Sequence, residues 1–119
     1  MSKTIFVVDD SNMNLVVVKD ALKDQYRVMT VLSAAKMFSL MEKLTPDLIL
    51  LDVLMPEMDG CEAVKILKSG AHANIPVIFL TSTLDDSIKE QGSQLGVLDF
   101  VLKPFEKEEL LEKIARALG

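Results

Sequence analysis

Short apolar runs alternate along the chain with longer stretches in which apolar residues return every three or four positions. The runs are Ile5 to Val8, Val28 to Val31, Leu48 to Leu51, Val77 to Leu80 and Phe100 to Leu102. Each has strand length and most are rich in β-branched or aromatic side chains, so each predicts a β-strand. The stretches between them predict helices. Ser11 or Asn12 caps the first, which carries Leu15, Val18 and Leu22, and Ser33 caps the second, which carries Met37, Phe38, Met41 and Leu44. The third runs from about Gly60 to Lys68 with Val64 and Leu67 inward. The fourth, from about Leu84 to Leu95, has only Leu84, Ile88 and Leu95 as anchors and contains Gly92, which makes it the least firmly held. In the fifth, Leu110, Leu111, Ile114 and Leu118 form one stripe, Glu108 and Glu109 sit in the first turn, and Gly119 closes the end.

Five strands alternating with five helices imply parallel βα units, because each right-handed crossover needs a helix to bring the chain back to the same edge of the sheet. The first, third and fourth runs are continuously apolar, as strands covered on both faces are. Arg27-Val28-Met29-Thr30-Val31 mixes polar with apolar and suits an edge. The order 2-1-3-4-5 satisfies both, giving an α/β, doubly wound, flavodoxin-like fold whose switch point lies between strands 1 and 3.

The chain has 119 residues, half of them apolar, with 13 Lys and Arg against 18 Asp and Glu for a net charge of −5. This reads as one domain over residues 1–119, with enough core to fold without disulfides or a structural metal. The single cysteine, Cys61, makes no internal bridge and favours a reducing, cytoplasmic setting. The acidic balance argues against direct nucleic-acid binding. No apolar stretch approaches the roughly 20 residues of a membrane span, and the start of the chain does not read as a signal peptide.

The chemistry gathers where the runs end. Strand 1 is followed by Asp9-Asp10, strand 3 by Asp52, strand 4 by Thr81-Ser82 and strand 5 by Lys103-Pro104. In a parallel sheet these ends share one rim. Three crowded carboxylates repel unless their pKa values rise or a cation neutralises them. Mg²⁺ takes oxygen ligands and suits this inventory better than Zn²⁺, whose Cys and His ligands are missing. Lys103 and Thr81 add a point charge and a hydroxyl for phosphoryl oxygens, so the set has the makings of a phosphoryl-transfer site with a carboxylate nucleophile.

The sequence resembles the receiver domain of two-component response regulators over its whole length. The resemblance rests on Val7-Val8-Asp9-Asp10-Ser11, the segment Leu50 to Gly60, Phe79-Leu80-Thr81-Ser82, and Asp99 to Phe105, in that order. It implies that Asp52 accepts a phosphoryl group from the phosphohistidine of a histidine kinase or phosphotransfer protein. It also implies Mg²⁺ held by Asp10, Asp52 and the backbone carbonyl of Leu54, with Asp9 helping through a water. Lys103 would pair with the phosphoryl group, Thr81 would swing its hydroxyl to it, and Phe100 would stand at the switch aromatic. The surface of helix 4, strand 5 and helix 5 would change for a downstream output domain, a partner protein or a second copy in a phosphorylation-dependent dimer. Such a domain is not a classical enzyme, although it catalyses its own phosphorylation and dephosphorylation. The resemblance further implies a cis peptide at Lys103-Pro104, while Gly60 fits a tight turn with positive φ.

Other readings of the same residues compete. Ser82 or Thr83 can cap the fourth helix, Phe100 can be plain core packing, Cys61 inert packing, and the methionines core filler. His72 lies in a loop-like stretch and receives no role. Leu54 has no group with which to orient an attacking water, and a capping Thr83 would not be free to do so, which predicts slow self-dephosphorylation. A haloacid-dehalogenase-like phosphatase would need Asp-x-Asp after strand 1, which Asp9-Asp10-Ser11 lacks. A flavin carrier would need a phosphate-cradling loop there, where Asp9 and Asp10 repel phosphate. An unphosphorylated interaction module remains as the third alternative, as does either a complete regulator or one receiver of a longer protein.

Overall fold

The computed structural model describes residues 2–119. The apolar runs pair as five parallel strands, β1 Thr4–Val8, β2 Arg27–Val31, β3 Leu48–Leu51, β4 Val77–Thr81 and β5 Asp99–Leu102, in the order β2-β1-β3-β4-β5. They alternate with α1 Asn12–Leu22, α2 Ala34–Met41, α3 Gly60–Lys68, α4 Asp86–Leu95 and α5 Lys107–Leu118. Every residue of β1, β3 and β4 is buried, whereas β2 exposes Arg27 and Thr30, as its edge position requires.

Alternating side chains of the sheet feed two separate cores. Phe6, Val8, Ile49, Leu51, Val77 and Phe79 pack under α2, α3 and α4. Ile5, Val7, Leu48, Leu50, Ile78 and Leu80 pack under α1 and α5, where Leu15, Val18, Leu22, Leu110 and Ile114 are the buried helical anchors. The register runs Val8 to Leu51, Leu51 to Phe79 and Phe79 to Phe100 across the sheet. The residues that follow these positions are thereby brought to one rim.

Local chemistry sets the helix starts. Ser11 and Ser33 cap α1 and α2 by accepting the N–H groups of Asn14 and Lys36. Asp59 and Glu62 form a reciprocal capping box at α3. Helix α4 begins two residues later than its apolar anchors suggest and is capped by Asp85, whose carboxylate accepts the Ile88 N–H at 2.9 Å, not by Ser82 or Thr83. Its only buried residue is Gly92. Leu44 lies beyond α2, which ends at Met41, though it still packs against the first core. Met13 is not core filler, being 76% exposed on α1.

Gly60 does not take the positive φ that its place in a tight turn suggests, since it is the first residue of α3. It is required by close approach instead, because a Cβ there would lie 2.6 Å from the Asp52 carbonyl oxygen. The left-handed residue of this loop is Glu57, at φ 71°.

Candidate functional site

Asp9 and Asp10 leave β1, Asp52 leaves β3, Thr81 ends β4 and Lys103 follows β5. One carboxylate oxygen from each of Asp9, Asp10 and Asp52 lies within 4.8 Å of the other two. Lys103 Nζ stands 2.5 Å from Asp9 Oδ2 and 3.6 Å from Asp52 Oδ2, so its first partner here is Asp9. The Lys103-Pro104 peptide is cis, as the resemblance implies.

The two buried acids are held differently. Asp52, 7% exposed, accepts the Val53 N–H on Oδ1 at 2.8 Å. Asp9, 4% exposed, accepts the Ser11 N–H on Oδ1 at 3.0 Å and the Asn14 side-chain amide on Oδ2 at 3.3 Å. Asp10 is exposed and has no ion pair among the described residues. Burial is the largest influence on the Asp52 carboxyl and pushes its pKa above the ordinary range; the Lys103 ammonium opposes this, Asp9 reinforces it, and the Thr81 hydroxyl and Val53 N–H pull it back.

Three carboxylates against one ammonium leave two negative charges unbalanced on this rim. An all-oxygen donor set with that deficit fits a hard divalent cation such as Mg²⁺. Asp9, Asp10 and Asp52 are the side chains placed to hold it. Leu54, 56% exposed, lies in the loop that leaves Asp52.

Thr81 is fully buried, and its Oγ1 accepts the Thr83 N–H at 3.2 Å. This bond, with Asp85 at the helix cap, leaves the Thr83 hydroxyl free of the capping role expected of it. Phe100 lies on the same face of the sheet as Phe79, its ring 6.0 Å from that ring and inclined by 65°. Lys113 of α5 donates to the Phe100 carbonyl at 2.7 Å. Cys61 is buried, its thiol pKa pushed up chiefly by desolvation, as befits an inert packing residue.

The model of the response regulator receiver domain matches residues 5–115. The chain belongs to the receiver domain family of response regulators. This receiver is 32% identical to the chemotaxis protein CheY of Bacillus subtilis, with all of both chains covered. It is 37% identical over 102 residues to a probable cyclic di-GMP phosphodiesterase of Vibrio cholerae, covering 85% of this chain but 23% of that protein. In structure it is similar to the receiver domain of a Pseudomonas aeruginosa sensor histidine kinase, solved with a magnesium ion coordinated in its active-site cleft. The TM-score there is 0.90 at 28% identity, with 100% of this chain and 99% of that one covered. Receiver domains work in two-component signalling with histidine kinases and output domains, and the acidic cluster of this receiver fits a phosphorylation site.

Asn14 and Gly92 were the members of this neighbourhood that spacing did not reveal. Asn14 follows the Ser11 cap as an ordinary first-turn residue, and Gly92 reads only as a weak point in a helix. Their contacts are tertiary.

Proposed function

We propose that residues 1–119 act as one receiver domain in which Asp52 accepts a phosphoryl group from the phosphohistidine of a histidine kinase or phosphotransfer protein. The observation that carries this reading is the packing of Asp9, Asp10 and Asp52 oxygens within 4.8 Å, with the Lys103 ammonium 3.6 Å from Asp52. A carboxylate oxygen of Asp52 attacks phosphorus in line, the phosphorus–nitrogen bond breaks, and its electron pair leaves with the donor imidazole. Bound Mg²⁺ would supply charge neutralisation at the phosphoryl oxygens. The chain's own groups do the positioning. Val53 N–H fixes the plane of the Asp52 carboxylate, and burial keeps bulk water from it. Lys103 turns from Asp9 toward the new phosphoryl charge, and the Thr81 hydroxyl leaves the Thr83 N–H to reach it.

The same proposal makes Thr81 and Phe100 the route to the surface. Closure at Thr81 repositions the loop before α4, and Phe100 turns inward beneath that helix, changing the α4, β5 and α5 face offered to an output domain, a partner protein or a second copy. The weak burial of α4 supports a movable element there. A cytoplasmic setting belongs to this reading and is supported by the buried free thiol of Cys61.

The test is covalent labelling by acetyl phosphate. Stoichiometric, Mg²⁺-dependent labelling is expected in the unaltered chain and none in Asp52→Asn. Full labelling of Asp52→Asn would remove Asp52 from the mechanism.

A further inference from the structure

Asp9 carries more donors than either of its neighbours on the rim. Ser11 N–H is on Oδ1, while Lys103 Nζ at 2.5 Å and Asn14 Nδ2 at 3.3 Å share Oδ2. The two lengths rank the pair: the ammonium holds this oxygen, and the amide stands behind it. Asn14 and Lys103 also line a common cavity of about 230 Å³.

Under the phosphoacceptor reading, on which this inference rests, Lys103 must change partner. Its Nζ is already 3.6 Å from Asp52 Oδ2, and a phosphoryl group there would draw it further. That motion removes the only ammonium beside Asp9 among the described residues, and this carboxylate is 4% exposed. Without Asn14 the buried charge would then be left with one backbone N–H, which is strongly disfavoured, and Asp9 would be free to turn out of place. Asn14 supplies the other side-chain donor to Asp9 among the described residues.

We propose that Asn14 is a positioning residue whose amide takes over Asp9 Oδ2 as Lys103 turns to the phosphoryl group. The handover keeps the carboxylate still while the ammonium moves. An amide suits the task because it donates without carrying a positive charge that would compete with Lys103 for the phosphoryl group or hold a cation away. Its place in the first turn of α1, fixed by the Ser11 cap, keeps it close to Asp9 at the end of β1.

Two measurements test this. The first is made in chelator and without phosphodonor. With Lys103 present, Asn14→Ala removes only the weaker of two donors and is expected to shift the thermal midpoint by less than about 2 °C. In a Lys103→Met background the same substitution leaves Asp9 with the Ser11 N–H alone and is expected to lower the midpoint by about 4 °C or more. The second is the initial rate of labelling by acetyl phosphate at saturating Mg²⁺, which needs no Lys103 variant. Asn14→Ala is expected to slow it about five- to tenfold, the worth of one ordinary intramolecular hydrogen bond. Asn14→Asp is expected to be slower still, since it turns an acceptor toward Asp9. A purely helical role predicts the opposite order, because an acid at the third helical position favours the helix.

Equal midpoint shifts in the two backgrounds, or Asn14→Asp labelling as fast as Asn14→Ala, would overturn the handover. Failure of the unaltered chain to label would overturn the phosphoacceptor reading beneath it, while the midpoint comparison would still read the Asn14 bond by itself.

Discussion

Asp52 sits 7% exposed in a medium that disfavours its charge, and its raised pKa gives that burden a direction in pH. Above the ordinary value of 3.8, the folded state binds more protons at this carboxyl than the unfolded state, so stability falls as pH rises through the window that begins there. The cost is complete once the folded carboxyl is ionised. Asp52→Asn removes it, and Lys103 is not orphaned because its nearer partner is Asp9. In chelator at neutral pH the variant is expected to melt a few degrees above the unaltered chain, since about 1 kcal/mol moves a domain of this size by roughly 4 °C. The gap should close as pH falls below 4, and a constant gap across that range in thermal melts would refute the burial account. Leu54 matters at a later stage. It stands exposed two residues beyond the proposed acceptor with no hydrogen-bonding group in its side chain, so Leu54→Asn is expected to speed loss of phosphate severalfold in a kinase-free assay. The Thr83 hydroxyl, relieved of helix capping, is a second group free to orient that water, and an unchanged rate in Leu54→Asn would show that Leu54 does not set the lifetime.

Helix α4 is the element with the least of its own to hold it. Its single buried residue is a glycine, and that glycine makes room for an aromatic ring. A Cβ at Gly92 would come 2.8 Å from Phe100 Cε1 and 3.2 Å from Phe79 Cε2. Two effects therefore oppose one another in Gly92→Ala. Helix propensity favours alanine by about 1 kcal/mol, whereas overpacking costs about 1–3 kcal/mol. The contact is short and both rings are already edge to face, so the overpacking is expected to win and lower the thermal midpoint. In a Phe100→Ala background the closest contacts are gone and only Phe79 Cε2 at 3.2 Å remains, so the same substitution should lower it less or raise it. A rise in the unaltered chain would show that the ring yields freely. The signalling consequence belongs to this scale as well, because the residue that weakens α4 is the one that seats the proposed switch aromatic.

Across the whole molecule, the rim exists because the sheet is parallel. Four strand ends from distant parts of the sequence meet there, leaving two net negative charges that a divalent cation can neutralise only in the folded chain. Mg²⁺ should therefore stabilise by linkage, by about 2.7 kcal/mol at a hundredfold excess over its dissociation constant. The three acids should not contribute equally. Asp10 is exposed and without an ion pair among the described residues, while Asp9 already carries Lys103, Asn14 and Ser11. Asp10→Asn is expected to abolish most of the Mg²⁺-induced rise in melting temperature, and Asp9→Asn to remove less of it. Equal losses in calorimetry would place Asp9 among the direct ligands.

The sequence by itself determined the elements, their order in the sheet and the residues at its rim, because each is written in local terms. Apolar runs such as Leu48 to Leu51 report burial on both faces, Arg27 and Thr30 report an edge, and Asp9, Asp10, Asp52, Thr81 and Lys103 each directly end or follow a strand. Boundaries that depend on side-chain competition were less legible, as at α4, where Asp85 rather than Ser82 or Thr83 supplies the cap. Only the tertiary structure decided what depends on distances between segments remote in sequence. It gave Gly60 its reason in the Asp52 carbonyl rather than in its own φ, moved the left-handed residue to Glu57, set Gly92 against Phe100, and put Lys103 on Asp9 with Asn14 behind it. Periodicity records which face of an element is covered. It carries no information about which atom on that face lies within hydrogen-bonding reach of another strand's end, and that is where the proposed switching chemistry resides.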